Sequence, residues 1–359
     1  MAEPANIEFP VAKAKQIVHD LFKPDPLIYW ADFLFYDILG WVAFVLAVKA
    51  PNFSLFQFEA LIVAGFSLYR AILFVHELSH LKNGTFQTFH LAWNLICGFP
   101  LMIPSFLYVG VHIDHHKQRF YGTKNDPEYF AFALAKPYRI PLFPLTMLIA
   151  PTLFILRFLL LAPLSYLVPP IRKPLWVLGS HLAVGGPYRR LLPDEPEELE
   201  GRIQEAVTFL YVLAGFTLMA KGILPWKTLA VWYLIAVFIL VTNALRSLVA
   251  HCDRNPPDHI MTFEEQFMDS TNIPGNPLLT PLWAPVGLRF HALHHLFVGI
   301  PYHNLGEAHR RLTHELKDSI YPLAFRKSMW SVLVQLWAEA SWHQKNIKKQ
   351  KSIFRVPMP

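Results

Sequence analysis

Three histidine clusters, separated by apolar stretches long enough to cross a bilayer, have to finish on the same face of it. They are His76-Glu77-Leu78-Ser79-His80, His112-Ile113-Asp114-His115-His116 and His291-Ala292-Leu293-His294-His295. Residues three or four apart on a helix share a face one turn apart, so each cluster aims at least two ring nitrogens toward one point. Imidazole is a neutral ligand suited to iron, zinc, copper and nickel. With 17 histidines in 359 residues, composition alone yields an HxxHH pattern roughly 0.04 times per chain, and here it occurs twice. A single histidine reads as a core or surface residue. Eight in three boxes read as a metal site.

Composition puts that site in a membrane. The chain is 53% hydrophobic and 16% charged, with a mean hydropathy of +0.31, against about 25% charged residues in ordinary soluble domains. Stretches 30–48, 55–74, 206–220 and 228–249 approach the roughly 20 apolar residues that a spanning helix needs. The first fifteen residues are polar and mixed in charge, without the pattern of a cleaved signal peptide, so the first span is expected to act as an uncleaved anchor. Two cysteines, Cys97 and Cys252, make no disulfide framework. Cys252, beside His251, reads either as a thiolate ligand or as a buried inert thiol.

Positive charge lies mostly outside the spans: Lys13, Lys15, Lys23, Arg119, Lys124, Arg172, Lys173, Arg189, Arg190 and the run from Lys345 to Lys351. The positive-inside rule then places both termini and the histidine segments on the cytoplasmic side. The same basic face suits anionic lipid or an acidic electron donor. Parity of crossings agrees. His76 and His80 follow the second span, so the segment 91–110 cannot cross once, and Pro100, Pro104, Asn94 and Gly98 weaken it as a spanning helix. It reads as re-entrant or interfacial. The run 142–168, interrupted by Pro151 and Pro163, is placed along the interface for the same reason. The pair 206–249 returns the chain to the cytoplasm just before His251. The expected fold is an all-α integral membrane protein with about four transmembrane helices, interfacial or re-entrant helices, and a cytoplasmic helical cap around a dimetal site.

Nine imidazoles, the eight box residues and His251, exceed the four that satisfy one zinc and suit two ions. A structural zinc cage would favour cysteine. Two first-row ions open to oxygen point to non-haem iron, with O₂ as co-substrate. Neutral ligands leave charge balance to water, oxygen species or carboxylates on the far ring nitrogens. The candidates are Glu77, Asp114, Asp253, Asp126 and Glu128, the last two reading equally as surface acids.

The order HxxxH, HxxHH, HxxHH between paired spans resembles the membrane fatty acid desaturases. The text from Tyr121 to Tyr129 after box two, and from Arg289 through box three to Gly306, is similar as well. The resemblance covers 30–312. It implies a four-span stem, a cap holding two irons through His76, His80, His112, His115, His116, His291, His294 and His295, and an acyl chain entering from the bilayer. His251 matches an extra histidine common in these enzymes. Where acyl-CoA desaturases place an asparagine one turn earlier, this chain has Ser247, with Asn243 two turns back. Box one is also one residue shorter than in those enzymes, so the chain looks closer to bacterial or lipid-type desaturases. The implied organisation is a cytoplasmic N-terminal segment 1–29, a desaturase domain 30–312 and a basic cytoplasmic tail 313–359.

The expected reaction is O₂-dependent desaturation of a long acyl chain, with its position set by tunnel depth. The expected partners are a lipid or fatty acyl substrate, the bilayer and an external donor (a ferredoxin or a cytochrome b5-like protein), with no nucleic acid among them. Two cysteines cannot hold an iron–sulfur cluster of their own. A hydroxylase or ketolase of the same superfamily would use the same ligands. A histidine-rich metal transporter would instead bury ionisable groups mid-span, whereas these histidines lie outside the spans. Arg246, near the end of the last span, needs a partner in the stem-to-cap region or around the site. His90, His303 and His309 lie near boxes and are weaker candidates for supporting roles.

Overall fold

The computed structural model describes residues 9–82, 84–182 and 187–353, with side chains through residue 347. The start of the N-terminal segment, and the side chains of Lys348, Lys349 and Lys351 in the basic run, lie outside the described residues. The described residues are helical, with isolated bridges and no strand among them. The helices that carry the argument are α1 (Pro26–Lys49), α2 (Leu55–Ile72), α3 (Phe74–His80), α4 (Val109–His115), α5 (Glu195–Ala220), α6 (Lys227–Ala250), α7 (His291–Leu296) and α8 (Met329–Ile353).

The chain divides into two compact units. One comprises Asp25–Asp114 and Thr146–Asn243, the other Met1–Pro24, His115–Leu145 and Ala244–Pro359. Among the described residues, five helices are long and apolar enough to cross a membrane: Pro26–Lys49, Leu55–His80, Ala150–Leu167, Glu195–Ala220 and Lys227–Ser247. The third falls in the run that sequence reasoning laid along the interface. Its prolines, Pro151 and Pro163, sit in the first turns of their helical segments, where a missing N–H costs little. They therefore segment the helix without ending it.

Local chemistry sets the ends of the long helices in the first unit. Asp25 caps α1 by accepting from the Leu27 amide at 2.9 Å, with Pro26 in the first turn. Ser54 caps α2 through the Gln57 amide, and Asp194 caps α5 through that of Glu197. A Cβ on Gly40 would lie 2.6 Å from Leu68 Cγ, and one on Gly65 would lie 2.7 Å from Phe238 Cδ1. These two glycines let α1 and α6 approach α2.

Between α3 and α4 the chain goes out and returns. The Asn94 side chain accepts from the Ser105 amide and donates to the Ser105 hydroxyl, both at 2.9 Å. The carbonyls near the tip of this hairpin take donors from three different helices. Trp41 Nε1 donates to Ile96 O at 2.8 Å, Tyr211 to Leu95 O at 2.8 Å, and Trp232 Nε1 to Pro100 O at 3.0 Å. Backbone that leaves helical pairing at membrane depth is tolerated only when it is satisfied in this way. Charge is treated likewise. Arg157 and Arg172 both donate to the buried Glu205 carboxylate, and Tyr166 adds a third donor at 3.1 Å.

In the second unit, Asn272 organises the ground under box three. Its amide donates to Ala324 O, its carbonyl accepts from the Arg326 amide, and its side chain accepts from the Leu293 amide at 3.1 Å. That last bond satisfies one of the otherwise orphaned N–H groups in the first turn of α7. Phe267, Leu293, Leu296, Leu312 and Tyr321 form the apolar core behind it.

Candidate metal centre

Within the first unit, His76 and His80 lie four residues apart on α3, and His112 lies on α4. Their rings gather with centroids 4.7 to 5.0 Å apart, and His112 Nε2 lies 3.0 Å from His80 Nε2. His76 and His112 are buried. The Tyr108 hydroxyl, one turn before His112 on the same stretch, meets its Nδ1 at 3.1 Å. Glu77 is buried, with one oxygen 3.6 Å from His76 Nδ1 and the other accepting from the Tyr29 hydroxyl.

Within the second unit, His115, His251, His291 and His295 bring their ligand atoms within 4.8 Å of one another. His251 and His291 approach at 3.0 Å through Nε2, as do His291 and His295, and His115 and His295 approach at 3.3 Å. Nitrogens about 2.0–2.1 Å from one ion at tetrahedral angles lie about 3.4 Å apart, so the spacing matches a shared ion. His116 and His294 pair separately, Nε2 to Nε2 at 3.2 Å.

The far ring nitrogens decide what these contacts mean. His115 Nδ1 donates to both oxygens of Asp126, at 2.8 and 3.0 Å. The amides of Gly122 and Glu128 hold that carboxylate in place, each at 2.8 Å. His251 Nδ1 is hydrogen-bonded to the Tyr121 hydroxyl at 2.7 Å, and that hydroxyl lies 2.9 Å from Ser270 Oγ. With Nδ1 engaged in these bonds, Nε2 is the nitrogen that each ring turns toward its neighbours. Burial and neighbouring imidazoles push His251 and His295 well below the ordinary histidine range, so both rings are neutral. Burial alone would also lower His115, but the Asp126 carboxylate outweighs it and holds the ring above its usual value. The ring nitrogens converge on one another at 3.0 to 3.3 Å, as ligands around one cation do. The donor set fits a metal ion.

The other sequence candidates are placed as follows. Asp114 accepts from the Tyr188 hydroxyl at 3.0 Å. Asp253, in the left-handed region at φ 56, accepts from the Phe130 amide, and burial and Asp269 push its carboxyl well up. Arg246 is buried and donates to Ser247 Oγ at 3.0 Å, and its charge helps depress His251. Asn243 lies on α6, two turns before Ala250. The charge of Glu128 also raises His115. Cys252 accepts from Arg326, and burial raises its thiol, the opposite of what a thiolate ligand requires. His90 bonds Ser105 in the hairpin. His303 meets Asn304, and His309 meets Tyr321 within an aromatic cluster.

Sequence reasoning did not single out Tyr108, Tyr121 or Ser270. Tyr108 carried a usable signal in its i,i+4 spacing to His112. Tyr121 and Ser270 reach His251 only through the tertiary fold.

A sequence model of the family described as "Fatty acid desaturase" matches residues 52–327. The chain is also 37% identical over 355 residues to the "Ceramide hydroxylase" of Caulobacter vibrioides (strain NA1000 / CB15N), an alignment covering 96% of this chain and 97% of that protein.

Proposed function

We propose that this chain, which belongs to the fatty acid desaturase family, hydroxylates a long-chain lipid of the ceramide type with O₂. It is a membrane enzyme of the desaturase and hydroxylase superfamily, and hydroxylation replaces desaturation as the preferred reading. The observation that carries this choice is the 37% identity, over almost the full length of both chains, to a ceramide hydroxylase.

The histidines are assigned to two iron ions. His115, His251, His291 and His295 hold one. The remaining box histidines, His76, His80, His112, His116 and His294, are left by sequence as ligands for the other. Bound there, the iron pair supplies the O₂ and C–H chemistry that no amino-acid side chain provides. The chain's own task is to orient the ligand rings and to set the charge around them. Asp126 fixes His115 and places a full negative charge behind it, whereas Tyr121 and Tyr108 fix His251 and His112 without adding charge.

Hydroxylation and desaturation both begin with loss of a hydrogen atom from one methylene. In hydroxylation one oxygen atom of O₂ joins that carbon and the other leaves as water, consuming two electrons and two protons. Desaturation takes the second hydrogen from the neighbouring carbon and releases two waters. Electrons come from an external donor of the ferredoxin or cytochrome b5 kind, and the site and both termini are assigned to the cytoplasmic side. The test is incubation of the purified, iron-loaded enzyme with a ceramide, a reduced donor and ¹⁸O₂. The expected product has gained one labelled oxygen. A product that has lost two hydrogens and carries no label would return the chain to desaturation.

A further inference from the structure

We infer that the first unit holds one acyl chain of a membrane lipid in a dedicated cavity, separate from the place where C–H bonds react. The cavity has a volume of about 230 Å³ and is bounded by Trp41 and Phe44 from α1, Phe99 from the hairpin tip, Tyr211 and Gly215 from α5, and Trp232 from α6. Tyr29, which binds Glu77 beside His76, lies twelve residues before Trp41 on α1, or about 18 Å at 1.5 Å per residue. A chain seated here is therefore well removed from the histidine end of α1.

Three observations select the occupant. First, the wall is aromatic and aliphatic, and the carbonyls beside it are already bonded to Trp41, Tyr211 and Trp232. Little in it calls for water, and apolar cavities stay dry. All of its helical walls belong to candidate spans, so the surrounding medium is hydrocarbon. At about 30 Å³ per water-sized group, a methylene being similar in bulk, the volume accepts about eight such groups. That is one tail segment and not a bundle.

Second, Gly215 lies deep inside α5, where glycine is the poorest residue after proline. Gly40 and Gly65 earn their places by close helix contact, but a Cβ on Gly215 would meet nothing within 4 Å. The missing side chain keeps the cavity open, and no packing contact accounts for it. Third, Thr228, at the α6 end of the wall, leaves its hydroxyl buried with no hydrogen-bond partner in the structure. It is placed to donate to the carbonyl where an acyl chain joins its headgroup, or to the carboxylate of a free fatty acid.

Native mass spectrometry of the full chain released from detergent tests this. The wild-type protein is expected to retain one acyl-bearing molecule, whose mass separates intact lipid from free fatty acid. Gly215→Leu fills the cavity with a better helix former and is expected to retain at least tenfold less, with an unchanged or higher melting temperature. Equal retention in the two proteins, or retention of detergent alone, overturns the inference. If Gly215→Leu fails to fold, bromine-labelled lipid around the wild-type chain decides, because Trp41 and Trp232 flank the cavity. On dilution into unlabelled lipid, part of the tryptophan fluorescence should recover much more slowly than the rest. A single fast recovery overturns the proposal.

Discussion

His291→Ala is expected to abolish product formation while leaving the fold intact. His291 lies between His251 and His295, 3.0 Å from each through Nε2, so its removal leaves one ion with three imidazoles and an open edge. Changing groups behind a ligand typically costs 10–100-fold in metal affinity or activity, and losing a ligand at the centre of the set should exceed that. About one iron per chain should be lost while the other remains. Stability separates this from simple unfolding. Alanine is the best helix former, and the substitution removes one of the ring nitrogens that crowd together at 3.0 Å in the iron-free protein. The iron-free variant should therefore melt at or above the iron-free wild type. Added ferrous ion, binding only the folded state, should raise the melting temperature of the wild type more than that of the variant. A variant that keeps both irons and its activity would remove His291 from the centre.

Asp126→Asn is the second large effect, and it tests tuning instead of ligation. The carboxylate accepts from His115 at two oxygens and is itself held by two backbone amides. Asparagine keeps the shape but loses the charge, and its amide group faces at least one of the three donors that now converge there. Iron affinity is expected to fall 10–100-fold, and product formation with it, measured by competition with a ferrous chelator. Tyr121→Phe serves as the comparison, since it removes a neutral partner of His251. If Asp126→Asn and Tyr121→Phe weaken iron equally, charge behind His115 is not what matters. If neither weakens it, the far ring nitrogens play no part in holding the ion.

Much of the site was legible because its chemistry is local. The i,i+3 and i,i+4 spacings of the boxes survive any packing of the helices that carry them. The return of the hairpin was legible from Asn94, Pro100 and Pro104, which disfavour a plain spanning helix; in the structure the Asn94 side chain pins Ser105 and the Pro100 carbonyl accepts from Trp232. Pro151 and Pro163 lie in the first turns of their helical segments, so they divide the run without ending it, and which turn a proline occupies is not revealed by composition. The roles of Tyr121, Ser270 and Asn272 were not legible, for a different reason. Their partners, His251 and the amide of Leu293, are brought to them by folding over separations of 19 to 130 residues. Hydroxylation against desaturation was not legible in the ligands at all. Both reactions use the same nitrogen set, and the choice depends on how the second half of the reaction proceeds.

The central claim is that this cluster of neutral imidazoles holds a pair of iron ions. Elemental analysis of the purified, ferrous-loaded chain, combined with Mössbauer spectroscopy, tests it most directly. Two irons per chain in nitrogen-rich, magnetically coupled sites are predicted. One iron per chain, or iron displaced stoichiometrically by zinc with no loss of product formation, would contradict the account.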